Sequence, residues 1–147
     1  MTTWPDLAGR LDDGVHVLPV RVYYEDTDFT GIVYHGAYVR FFERGRSDFL
    51  RLAGIHHAQL QAGLSGRPLA FAVRSMNLDF RRPATIDDVL EVRTRLSDLK
   101  GARIVLTQEI CRGEDLLVAA DVMVAVITSD GKPTRLPAEL ASRLTGL

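Results

Sequence analysis

Residues 36–53 read GAYVRFFERGRSDFLRLA, and their spacing decides the fold. Tyr38, Phe42, Gly45, Phe49 and Leu52 recur at intervals of four and three, which places them on one stripe of an α-helix. Arg40, Glu43, Arg44, Ser47, Asp48 and Arg51 fill the other side. Gly54 supplies the stop. Gly45 costs about 1 kcal/mol of helix propensity relative to Ala. Lying on the apolar stripe, it lets the helix backbone come close to a sheet.

On the N-terminal side, residues 15–24 (VHVLPVRVYY) are rich in β-branched and aromatic types, with Val20 and Val22 on one face, and predict a strand. The polar run EDTDFTG (25–31) that follows predicts a loop. On the C-terminal side, a loop with Gly63, Gly66 and Pro68 leads into four strands, the first from Leu69 to about Phe80. The second alternates, with Leu90, Val92, Thr94 and Leu96 on one face and Glu91, Arg93, Arg95 and Ser97 on the other. The third runs over Arg103–Cys111 and the fourth over Leu116–Ile127. Their separators, Lys100-Gly101 and residues 112–115, are short enough for antiparallel hairpins. A short helix is expected after Pro137. One apolar helix stripe and one antiparallel sheet must bury those faces against each other, which makes the chain an α+β protein with a sheet wrapped around a single helix. The length suits one domain, 1–147, with residues 1–14 a loosely ordered extension.

The net charge of −1 argues against general nucleic-acid binding, which needs a basic surface. The basic residues are 16 Arg against only Lys100 and Lys132; Arg is the better bidentate ligand for phosphate, though base composition of the genome explains the bias equally well. Cys111 is alone, so no intramolecular disulfide forms; it is read as a buried structural thiol. The start MTTWPDLAGRLDDG has neither the basic nor the apolar part of a signal peptide, and the longest apolar run, Val122–Ile127, is far short of a membrane span. A cytoplasmic protein is expected.

The loop before the long helix gathers Glu25, Asp26, Asp28, Gly31, Tyr34 and His35. Free N–H groups at a helix start carry partial positive charge and can hold a polarised carbonyl oxygen. A carboxylate across from them can attack an acyl group, or activate water to do so. The simpler alternative is that Asp26 and Asp28 cap the helix or shape an Asx turn. Other chemistries fit less well. Gly63-Leu64-Ser65-Gly66 is one residue short of a nucleophile elbow, no phosphate-binding or dinucleotide glycine motif occurs, and His56-His57 have no third ligand at metal-site spacing. Neither a metal nor a cofactor is expected. Arg74, Arg81, Arg82, Lys100 and Arg103 fall at strand ends and turns, where solvated surface is the default.

The run VRVYYEDTDFTGIVYHGAYVRFFERGR (20–46) resembles the motif of the 4-hydroxybenzoyl-CoA thioesterase family of hot-dog proteins, and within it the bacterial Tol-Pal-associated acyl-CoA thioesterases. The resemblance continues through FAVRSMNLDF (71–80), RPATIDDVLEV (82–92) and the strands after Lys100 to about Pro137. It implies a five-stranded antiparallel sheet around the long helix. It also implies a homodimer with a continuous sheet, often doubled to a homotetramer, with active sites between subunits. Carried over by position, the resemblance makes Asp28 the catalytic carboxylate and the His35 backbone N–H the group that polarises the carbonyl. Gly31 closes the loop beneath, Tyr34 lies at the substrate, and Lys100 and, more weakly, Arg103 meet the phosphates of coenzyme A. Where relatives carry small residues or Pro after the Asp, this chain has Phe29-Thr30, expected to narrow or re-aim the acyl pocket. The implied reaction is hydrolysis of acyl-CoA to a free acid and coenzyme A. Alternatives are a dehydratase acting on acyl thioesters, or a non-catalytic protein binding acyl carrier protein or envelope partners; the carrier protein is also an alternative source of substrate.

Overall fold

A computed structural model describes residues 7–63 and 66–147; Leu64 and Ser65 of the serine motif considered above lie outside the described residues. The elements, in order, are β1 (Arg10–Asp12), β2 (Val15–Arg21), a 3-10 turn at Tyr24–Asp26, α1 (His35–Leu52), α2 (His57–Gln61), β3 (Leu69–Phe80), β4 (Val89–Lys100), β5 (Arg103–Arg112), β6 (Asp115–Thr128) and α3 (Ala138–Thr145). The strands form one antiparallel sheet in the order β1-β2-β4-β5-β6-β3. Both hairpins expected after Leu90 are present, closed by Gly101-Ala102 and Gly113-Glu114.

The sheet has six strands rather than five, and part of the N-terminal extension is ordered. Asp13 (φ 52°) and Gly14 (φ 78°) form the two-residue turn that Asp-Gly pairs favour, so Arg10–Asp12 folds back on Val15–Val17. The segment is tied to α1 by Asp48, whose Oδ2 accepts the Gly9 amide at 2.8 Å and lies 2.6 Å from Nε2 of the buried His16.

α1 packs where its sequence allows closest approach. A Cβ on Gly45 would lie 2.6 Å from Val92 Cγ1 and 3.2 Å from Thr94 Oγ1, so only glycine lets the helix rest on β4. Phe41, Phe42 and Phe49 are fully buried around this contact, each stabilising by roughly 1.5–3 kcal/mol. Gln108 on β5 satisfies itself there. Its Nε2 donates to Phe42 O (3.0 Å) and Thr94 Oγ1 (2.8 Å), and its Oε1 accepts from Arg46 Nη1 (3.1 Å). The stripe read from the sequence shifts at its end: Leu52 is exposed, while Arg46 is buried. The second helix, α2, was not expected; His57 on it makes edge contact with Phe71 of β3.

Candidate active site

The segment before α1 folds as a small three-residue hairpin. Asp28 N donates to Ile32 O (2.9 Å), Gly31 N donates to Asp28 O (3.2 Å), and Thr27 bridges Val33. Gly31 takes φ 90°, the left-handed conformation that closes such a loop and that L side chains avoid; space is not the reason, since a Cβ there would meet nothing. Tyr34 N donates to Asp26 O (2.9 Å), so the hairpin delivers the chain directly into His35. Two residues, Val33 and Tyr34, separate Ile32, the partner of Asp28, from His35, so the three steps span about 10 Å of extended chain.

The two aspartates divide their tasks. Asp26 is buried; its Oδ2 accepts the Tyr23 amide at 2.9 Å, and Arg40 Nη2 stands 3.8 Å from Oδ1. Asp28 is half-exposed. Its Oδ1 accepts from Thr30 Oγ1 (2.5 Å) and from Thr30 N (2.8 Å), an Asx turn as the simpler alternative anticipated. Those bonds, the hydroxyl's first and the amide's second, hold its carboxyl below the usual carboxylate range, so Asp28 is ionised at neutral pH. Its Oδ2 has no hydrogen-bond partner among the described residues. Neither aspartate caps α1, whose N-cap, Tyr34, makes no side-chain cap bond. The His35 and Gly36 amides have no backbone acceptor among the described residues, and the helix dipole makes them a positive end.

Around this opening, Tyr34 stacks tilted on His35 (4.4 Å), and Phe80 of β3 meets His35 (6.3 Å) and Tyr38 (5.9 Å). Phe80, Tyr34 and Ile32 are all solvent-exposed, and Phe29 is 102% exposed, so it leaves the Asp28 loop rather than narrowing a pocket within the chain. Thr30, the other unusual residue, restrains Asp28.

A clamp on the far side was not singled out from the sequence. Ile32 bridges Thr85, and Val33 N donates to Ala84 O (2.9 Å), so the hairpin hangs on the loop before β4. That loop is fixed by Tyr38 Oη, which accepts the Ala84 amide (3.0 Å), and by Asp88, which accepts from Thr85 N (2.9 Å) and Arg112 Nη1 (2.8 Å). The Thr85 amide, then Arg112, hold the Asp88 carboxyl below its usual range, while burial pushes the Tyr38 phenol up. The Thr-x-x-Asp spacing at 85–88 was the available signal.

Lys100 and Arg103 face each other across the β4–β5 turn, at the end of β4 opposite Asp88. Roughly 35 Å of strand separates them from the site within one chain. Arg103 stands 3.6 Å from Asp98, Arg81 2.9 Å from Asp79, and Arg82 3.3 Å from Asp115, so three of the five basic residues singled out form local ion pairs, while Arg74 and Lys100 form none among the described residues. Asp28 lines none of four cavities within the chain. Cys111 is buried, and burial pushes its thiol up.

The sequence profile of the thioesterase-like superfamily matches residues 22–144. The acyl-CoA thioester hydrolase YbgC of Escherichia coli O157:H7 is 42% identical over 84% of this chain and 91% of its own. The acyl-CoA thioesterase YbgC of Haemophilus influenzae is 41% identical over 88% and 93%. The crystal structure of a probable thioesterase from Bartonella henselae superposes with a TM-score of 0.81 at 50% identity, over 84% of this chain and 99% of that one.

Proposed function

The chain belongs to the thioesterase-like superfamily, and from that premise we propose that it is an acyl-CoA thioesterase that uses Asp28 and the opening of α1. The observation that carries the reading is an ionised, half-exposed carboxylate, one oxygen of which is free among the described residues, on a hairpin that leads into helix amides with no backbone acceptor among those residues. The thioester carbonyl sits with its oxygen toward the His35 and Gly36 amides. Asp28 Oδ2 attacks the carbonyl carbon or takes a proton from attacking water. Negative charge gathers on the oxygen, where those amides are strongest, and the coenzyme A thiolate leaves. In the direct route, water then cleaves the acyl-aspartate anhydride, giving the same acid. Gly31 sets the loop, and Tyr34 flanks the acyl group.

The working unit is a homodimer, and a homotetramer in its doubled form, acting in the cytoplasm as a single-domain protein. β3 supports this: it is twelve residues long, lies at the sheet edge, and carries the exposed Val73 and Phe80. A second β3 pairing there would continue the sheet and cover the exposed aromatics beside His35. It would also allow Lys100 and Arg103 of another subunit to meet coenzyme A phosphates that they cannot reach within one chain. Acyl carrier protein is the alternative bearer of the thioester.

The test is thiol release across short, medium, long and aromatic acyl-CoAs. Asp28→Asn is expected to lose roughly a hundredfold or more in turnover with unchanged oligomer size by light scattering. Hydrolysis near the wild-type rate in that variant overturns the proposal.

A further inference from the structure

A cavity of about 350 Å³ lies beneath α1, well removed from Asp28, with Leu50, Phe71, Ile104, Leu106 and Val124 as apolar walls. Arg46 lines it too, and is only 7% exposed. Its Nη1 donates to Gln108 Oε1, one bond from a group with five donors. Among the described residues no carboxylate lies within 4.0 Å of the Arg46 guanidinium. Glu43 lines the cavity as well, but it is exposed and makes no ion pair with Arg46. Burial pushes the guanidinium down from its ordinary value, yet arginine stays charged at any pH the protein meets. Burial makes this cation costly; Glu43 offsets part of the cost from beyond ion-pair distance, and an anion entering the cavity beside Arg46 would offset more. Ser47 Oγ and His57 Nε2, 3.2 Å apart, add hydrogen-bonding groups to the same lining.

The geometry points to a binding site for a carboxylate carried on an apolar body, with the carboxylate on Arg46 and the body against the Leu50–Ile104–Leu106 wall. The planar fork of arginine matches a carboxylate bidentately. Two sources share this chemistry. One is a free carboxylic acid. The other is the distal carboxylate of a dicarboxylic acyl group whose thioester lies at the opening of α1. The second source rests on the thioesterase reading and requires a long chain, since Arg46 is eleven residues beyond His35, about 16 Å along the helix. The first source does not depend on that reading.

Calorimetric titration with octanoate, and with octanol as its uncharged partner, tests the site on the intact chain and on Asp28→Asn. Octanoate is expected to saturate one site per chain in both proteins, and octanol to give no saturable heat. Arg46→Gln should weaken octanoate by about tenfold or more, and Phe71→Trp, which narrows the cavity and leaves Arg46 in place, should weaken it as well. Thiol release from dodecanedioyl-CoA against dodecanoyl-CoA then identifies the source. A preference for the diacid that Arg46→Gln removes assigns the acyl tail, and octanoate binding without that preference assigns the free acid. Octanol binding as well as octanoate overturns the site, as does unchanged octanoate affinity in both cavity variants, or neither binding nor preference. Because the titration needs no turnover, failure of the Asp28 mechanism leaves it readable.

Discussion

At Gly45 a single added carbon would stand 2.6 Å from Val92, with Thr94 and Gln108 close behind. Nine residues earlier in the same helix, the Gly36 amide and its neighbour at His35 have no backbone acceptor among the described residues, and the Asp28 hairpin before them is largely open to solvent. In the body of α1 the packed groups include a fully bonded Gln108 and buried aromatic rings. The opening leaves donors free and aromatic rings exposed. On the proposed reading, stability and chemistry occupy different stretches of one helix. The packing that holds the body fixes the direction of the opening without consuming its amides. If that separation is real, substitutions should divide cleanly between those that unfold the protein and those that silence it.

The largest stability effect is expected at Gly45. Gly45→Leu forces β4 away from the helix and should destabilise by about 3 kcal/mol or more, read as a fall in the denaturation midpoint. Gly45→Ala regains about 1 kcal/mol of helix propensity against the same clash and should fall by less. Asp28→Asn, by contrast, should leave the midpoint nearly unchanged while abolishing thiol release; a comparable fall in stability would erase the distinction between the two regions. Asp26→Ala sharpens it from two residues away. Loss of the acceptor for the Tyr23 amide should cost about 1–2 kcal/mol, with activity falling only as the loop loosens. Gly31→Ala comes next, about 1 kcal/mol from forcing a side chain into the left-handed region.

The helix body was legible in the sequence because packing leaves a period. Tyr38, Phe42, Gly45 and Phe49 are all buried as their spacing requires, and the alternation in β4 places Leu90, Val92 and Thr94 inward as expected. β1 was missed even though Asp13-Gly14 is a hairpin signal, because three residues are too few to show alternation. α2, at five residues, is too short for a helical period. Arg46 was missed for another reason: a charged residue carries no mark of burial until Gln108, 62 positions away, is seen to receive it. The site was legible only in part. The crowding of carboxylates marked the loop before α1 as the candidate, but the different hydrogen bonding of Asp26, to Tyr23, and of Asp28, to Thr30, is something composition does not encode. The placing of Lys100 and Arg103 depends on strand direction, and within one chain β4 carries them away from Asp28.

The smallest effect bears on the opening alone. The Thr30 hydroxyl is the largest influence holding the Asp28 carboxyl below its usual range, ahead of the Thr30 amide. Thr30→Val removes the hydroxyl and keeps the amide, so the Asp28 value should rise part of the way back. Because the reaction needs the ionised form, the acid limb of kcat/KM must then move to higher pH. With Thr30→Ser, which keeps a hydroxyl, it should stay where the parent has it. The sign for stability runs the same way: a depressed carboxylate stabilises above its unfolded value and loses that contribution as pH falls through the folded one. At so exposed a position, however, the denaturation midpoint at neutral pH should not register the change. A limb that shifts without a shift in stability places Thr30 with the chemistry of the opening. A midpoint that falls while the limb stays fixed would instead make the hairpin part of the packed body and Thr30 merely one of its struts.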